Sequence, residues 1–151
     1  MGSADFLLQN KGFADLNATD AGVLNSICSE ESFSAGAAIF PEESAGDKMY
    51  VVKSGSIKIT KKVKETENTI AVINPGEFFG EMALLDGMPR SAAARAASDT
   101  VVLTITRDNY AALRSKAPQT ALKIIDILVK VLSNRLRQAN KNLEVISFWI
   151  E

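Results

Sequence analysis

Between Phe33 and Thr106 the chain is a series of short runs rich in Val, Ile, Thr and Tyr, punctuated by Gly, Pro and Asn. Ser56-Ile57-Lys58-Ile59-Thr60-Lys61 alternates apolar with polar residues, the period of a strand with one face buried. Thr69-Ile70-Ala71-Val72-Ile73 and Val101-Val102-Leu103-Thr104-Ile105 follow. Strands of this length and spacing predict a barrel or sandwich over about residues 33–106. The flanks read as helix. Asn17, or Thr19, can cap a helix of about residues 17–28, with Asp20 in its first turn. Thr106 can cap another over about 107–116, and Pro118 suits the first turn of a last helix over about 118–146. The chain has 151 residues, the size of one domain, and no internal repeat divides it.

The last helix carries two apolar stripes. Ile125, Val129, Leu132, Leu136, Ala139, Leu143 and Ile146 alternate in steps of four and three, the spacing of a coiled-coil seam. Leu122, Ile124, Leu128 and Val131 form a second stripe, expected to face the strands. One helix packed on its own domain needs only one such face, so the seam predicts a homodimer. The alternative is a single wide apolar face buried within one chain.

Composition removes several function classes. Hydrophobic residues make up 46% of the chain, enough for a core. The formal net charge of −1 argues against nucleic acid or an acidic membrane as a general partner. Lys61, Lys62 and Lys64 read as a solvated hairpin end. The stretch Ala121 to Leu132 is interrupted by Lys123, Asp126 and Lys130 and is too short to span a bilayer. The single cysteine, Cys28, reads as a core thiol and suits a reducing cytoplasm; no secretory leader opens the chain. Histidine is absent, which excludes a Ser-His or Cys-His nucleophile pair and a two-histidine metal motif. No convincing acid–base pair stands out, so a metal site and an enzyme are not expected.

Residues 75–93 read Pro-Gly-Glu-Phe-Phe-Gly-Glu-Met-Ala-Leu-Leu-Asp-Gly-Met-Pro-Arg-Ser-Ala-Ala. These are parts that can hold a small phosphate ester. Gly80 lets the backbone approach a ligand closely. Glu81, Met82 and Ala83 open a short helical turn whose free N–H groups favour an anion. Arg90 can grip two phosphate oxygens, Ser91 adds a hydroxyl and Ala92 a backbone N–H. A carboxylate beside a phosphate would repel it, so Glu81 is expected to accept from a sugar hydroxyl while Arg90 balances its charge.

The run Phe79-Gly80-Glu81-Met82-Ala83-Leu84-Leu85 through Pro89-Arg90-Ser91-Ala92 resembles the phosphate-binding cassette of cyclic nucleotide-binding domains. Gly36-Ala37-Ala38-Ile39-Phe40, Met49 through Ile59, and Ile73-Asn74-Pro75-Gly76-Glu77 resemble that family's strands and turn glycines, in order. The resemblance covers roughly residues 5 to 145. It implies a mainly β fold with flanking helices: a β-roll (a double-stranded β-helix, jelly-roll-like) with a long C-terminal helix. It implies that this helix pairs two subunits and closes over the base.

The ligand set so implied is Gly80, Glu81, Met82, Ala83, Arg90, Ser91 and Ala92, with Val72 and Ile73 flanking the base and Asn140, beside Ala139, near it. Ser91 permits cGMP; Asn140 can serve the adenine amino group, and the reading favours cAMP. The function expected is a regulatory sensor that binds a cyclic purine mononucleotide and signals through its last helix to an unknown effector. A helix-turn-helix is not expected in this chain. The alternatives are a cGMP-selective sensor, a degenerate docking or dimerisation module of the same fold that binds nothing, and, from another class, a cupin-like or nucleotide-hydrolysing enzyme.

Overall fold

Met49-Tyr50-Val51-Val52 breaks the apolar–polar alternation of a half-buried strand, and its neighbours explain why. A computed structural model describes residues 2–150, with side-chain surroundings for all of these but Ala83 and residues 144–150. Eight strands run β1 (Ser29–Phe33), β2 (Ala38–Phe40), β3 (Lys48–Ser54), β4 (Ile57–Val63), β5 (Thr66–Ile73), β6 (Phe78–Phe79), β7 (Ala93–Ala96) and β8 (Thr100–Thr106). They form two antiparallel four-stranded sheets, ordered β1-β8-β3-β6 and β2-β7-β4-β5. This is the β-roll that the resemblance predicts. The helices are α1 (Ala18–Ile27), α2 (Glu81–Asp86), α3 (Arg107–Lys116) and α4 (Pro118–Ile150), preceded by two 3-10 turns, Asp5–Gln9 and Lys11–Phe13.

The first sheet is covered on both faces. Met49 and Val51 of β3, with Leu103 and Ile105 of β8, pack against Leu24, Leu113, Ile124 and Leu128 of the helices. Tyr50 and Val52, with Val102, point the other way and meet Ile57, Ile73 and Ala94 inside the roll. Phe78 and Phe79 divide in the same manner, Phe78 to the helical core and Phe79 to the roll. A strand buried on both faces needs apolar residues at every position, hence the continuous run. The second sheet has one face in solvent: β5 is exposed along most of its length, with Ile73 buried at its end.

The helix ends follow the chemistry of their sequence. Asn17 caps α1 by accepting from Asp20 N–H, and Asp20 answers by accepting from Asn17 N–H. Thr106 caps α3 by accepting from Asn109 N–H. Asp20 also binds the first turns of α4: Thr120 Oγ1 donates to it at 2.6 Å and Lys123 Nζ at 2.7 Å. This buried carboxylate therefore pins α1 to α4. Cys28 lies at the end of α1, half-buried against the helical core.

On α4, Ile124, Ile127 and Leu128 are buried, with Ile125 and Val131 packed at the edge of the core. Leu122 corrects the expectation that it faces the strands. It is 62% exposed, as are Val129 at 58%, Leu136 at 63% and Leu143 at 62%. These four recur every seven residues, so Leu122 extends the seam. It sits two residues before Ile124, about 200° around a helix and hence on the opposite side. Ile125 and Leu132 border the stripe and are partly buried. Ile146, the last seam residue, lies outside the residues whose side chains are described. No helix among the described residues is long and apolar enough to cross a membrane.

Candidate functional site

β6 ends at Phe79, and the chain must turn at once to start α2. Gly80 makes the turn with φ +73°, a left-handed conformation that disfavours a side chain. Space forbids one as well. A Cβ on Gly80 would lie 2.6 Å from Arg90 Nη1 and 3.3 Å from Tyr50 Cδ2. The glycine and the arginine are thus two halves of one device.

Arg90 is buried and held on all sides. Its Nη1 donates to the Gly80 carbonyl at 2.7 Å and its Nη2 to the Lys48 carbonyl at 2.8 Å. Its guanidinium carbon lies 4.1 Å from the centre of the Phe40 ring, and Tyr50 stacks on Phe79 at 4.8 Å behind it. Its backbone pairs with the loop before β3, Arg90 N–H to the Ser44 carbonyl and Glu43 N–H to the Arg90 carbonyl, both at 2.8 Å. Arg90 Nε is buried with no hydrogen-bond partner among the described residues. Burial lowers the guanidinium's proton affinity, opposed by the nearby Asp47 and Glu81 carboxylates, and the group stays charged at neutral pH. A buried cation with an unpaired N–H calls for an anion.

Glu81 is also buried, and its direct ion-pair partner is Arg135 rather than Arg90. Arg135 of α4 donates from Nη1 to Glu81 Oε1 at 2.9 Å and from Nη2 to the Phe78 carbonyl at 2.7 Å. Its guanidinium lies over the Phe78 ring at 5.3 Å. This corrects the expected Arg90–Glu81 balance. Arg90 is committed to carbonyls, and Glu81 is served from the long helix. The sequence reading does not single out Arg135, although its position carries a signal. The buried stripe of α4 steps through Ile124, Leu128 and Val131, and the next step of four lands on Arg135. A charge in the register of a core stripe needs an acid nearby.

These residues wall a cavity of about 380 Å³. Gly80, Glu81, Met82, Arg90, Ser91 and Ala92 all line it, as does Ile73. The side chain of Ala83 lies outside the described residues. Lys61 Nζ donates to the Ser91 carbonyl at 3.1 Å, which ties the end of the turn to β4. Two expected base contacts lie elsewhere. Val72 is exposed opposite Lys58, and the cavity takes Ile70 and Ala71 instead. The register of β4 with β5 shifts between Ile59 and Thr60, leaving Ile70 without a partner. Such a bulge turns neighbours onto one face, and strand periodicity does not reveal it. Asn140 is exposed and does not line the cavity; the α4 residues that do are Leu132, Arg135 and Leu136. Asn140 lies one helical turn beyond Leu136, past the cavity's end.

The family model described as cyclic nucleotide-binding domain matches residues 30–117. The chain belongs to the cyclic nucleotide-binding domain family. It is 39% identical over 114 residues to a cyclic AMP receptor protein of Thermus thermophilus, covering 75% of this chain and 51% of that one. It is 39% identical over 103 residues to a cGMP-dependent protein kinase of Eimeria tenella, covering 68% of this chain and 10% of the kinase. The chain therefore spans about half the length of the first relative and a tenth of the second. A crystal structure of a cyclic nucleotide-binding domain from Methylobacillus flagellatus superposes with a TM-score of 0.82 at 25% identity, covering 92% of this chain and 79% of that one. The residues around the cavity fit a cyclic nucleotide: a buried arginine with a free N–H, a buried acid with one oxygen engaged, and an apolar remainder.

Proposed function

We propose that this domain binds a cyclic purine mononucleotide, cAMP in preference to cGMP, and that α4 carries the signal. The orphaned Arg90 Nε at the cavity supports the reading most directly. A cyclic phosphate there would accept from Arg90 and from the backbone N–H groups that follow Gly80. Arg135 engages Glu81 Oε1, and no hydrogen bond reaches Oε2 among the described residues. That oxygen is open to a ribose 2′-hydroxyl. The action is binding, with α4 favoured in one position by differential affinity.

Base preference follows from desolvation. Ile70, Ala71, Leu132 and Leu136 supply apolar wall. Guanine brings a ring N–H, a carbonyl and an amino group, each costly to strip of water without a partner. Adenine brings fewer such groups. Ser91 lines the cavity, and a hydroxyl on that residue favours the second reading, a cGMP-selective site. The similarity itself does not choose, since the Thermus cyclic AMP receptor protein and the Eimeria cGMP-dependent kinase are equally identical to the chain.

The exposed heptad of α4 supports a homodimer that passes the binding event to an effector. Cytoplasmic residence belongs to the same proposal; the single free Cys28 thiol suits a reducing compartment. Calorimetric titration with cAMP and cGMP tests the reading. The expected outcome is binding of both, cAMP tighter by about tenfold, the effect of roughly one unpaired polar group. A hundredfold ligand excess over Kd should stabilise the fold by about 2.7 kcal/mol, visible as a raised Tm. Heat-free titrations and an unmoved Tm with both nucleotides would favour a non-binding docking module.

A further inference from the structure

The methionines with described surroundings divide sharply by exposure. Met49 is 2% exposed, Met82 50% and Met88 62%. Met82 lies within the short helix α2 and Met88 in the turn that follows it, but only Met82 lines the cavity. An exposed thioether is open to oxidation by a peroxide, and the sulfoxide formed is polar where the thioether was apolar.

We propose that Met82 is a peroxide-sensitive modification site at the mouth of the cavity, and that its oxidation weakens the ligand. The inference rests on the cyclic-nucleotide reading above. In the step, a lone pair of Met82 Sδ attacks one oxygen of hydrogen peroxide. The S–O bond forms as the O–O bond breaks, and the second oxygen leaves as water after proton transfer. Sulfur loses two electrons and the peroxide gains them. In the empty cavity the half-exposed sulfoxide keeps its water. A seated ligand strips that water, in a cavity walled in part by Ile70, Ala71, Leu132 and Leu136, so the bound state bears the cost. The same contact means that a bound ligand shields Met82 from peroxide. Cys28 does not compete for the oxidant, because burial pushes its thiol up to about 12 and almost no thiolate forms at neutral pH.

The test treats the intact chain with hydrogen peroxide, with and without saturating cAMP. Oxidation of each methionine is followed by peptide mass spectrometry, and cAMP is then titrated into treated and untreated protein. Met82 and Met88 should oxidise well before Met49. cAMP should slow Met82 several-fold and leave Met88 unchanged. Oxidised protein should bind cAMP about tenfold more weakly, with affinity restored by methionine sulfoxide reductases. Met82→Leu, whatever its own affinity, should lose nothing further on treatment. Complete Met82 oxidation without loss of affinity would overturn the inference, as would an equal loss in Met82→Leu. Untreated protein that binds neither cAMP nor cGMP would instead overturn the nucleotide reading, and this inference with it.

Discussion

At the scale of single residues, the site sets a buried and a half-exposed arginine in different roles. Arg90 donates to two carbonyls and keeps one N–H in reserve, a geometry that needs the planar fork. Arg90→Lys retains the charge but has no such fork. Its cAMP affinity should fall roughly ten- to a hundredfold, the worth of one lost charged hydrogen bond, as calorimetry would read. Arg135 serves Glu81 instead. Arg135→Ala would leave a buried carboxylate without its cation. We expect a loss of about 1–3 kcal/mol of stability without ligand, discounted where solvent reaches the pair. Adding Glu81→Gln should recover part of that loss, because the amide carries no charge to strand. Melting curves of the two single variants and the double variant check this.

Particular polar contacts join the elements, and each can be tested by itself. Asp20 holds the start of α1 and the first turns of α4 together. Burial would raise its pKa, but hydrogen bonds from Lys123, Thr120 and Asn17 outweigh burial and hold it below the ordinary value of 3.8. The sign follows directly. A lowered folded pKa contributes stability that is present above the unfolded value and lost as pH falls through the folded one. Asp20→Asn should cost about 1–2 kcal/mol at neutral pH. Its stability curve should be flatter than wild type below about pH 4. Denaturation measured from pH 7 to pH 2 would show it; parallel acid limbs would mean that Asp20 does not pin the helices. Gly80→Ala joins a left-handed backbone to a collision with Arg90. It should destabilise by about 1–3 kcal/mol and displace the guanidinium, so affinity and Tm should fall together.

In the whole molecule, α4 presents an apolar stripe to solvent. Four large apolar side chains exposed at a seven-residue step are what a parallel partner helix would bury. Leu136 both lines the cavity and lies in this stripe, so Leu136→Asp would disturb ligand and seam at once. Val129 lies in the stripe but not in the cavity wall, which makes Val129→Asp the cleaner probe. A charge there must be desolvated against its symmetry mate. Light scattering should find wild type dimeric and Val129→Asp monomeric, with cAMP binding retained. A monomeric wild type would show that the stripe pairs with nothing in this chain.

Features that depend on local pattern can be read from the chain alone. Strand spacing from Phe33 to Thr106, the caps Asn17 and Thr106, Pro118 in the first turn and the order glycine, acid, arginine are all short-range signals, legible without a structure. The placement of Gly80, Glu81, Arg90 and Ser91 around one cavity was legible because the run from 79 to 92 folds back on itself as a unit. Other features depended on tertiary structure. The counter-charge of Glu81 comes from Arg135, distant in the chain, and no local pattern joins the two. Whether Val72 or Ala71 faces the ligand turns on a bulge in the pairing of β4 with β5, which shifts register without marking either strand's composition. Asn140 and Leu122 were placed by helix register, and a step of one or two residues moves a side chain 100° or 200° around the axis. Periodicity specifies which residues share a face, but only packing decides what that face meets.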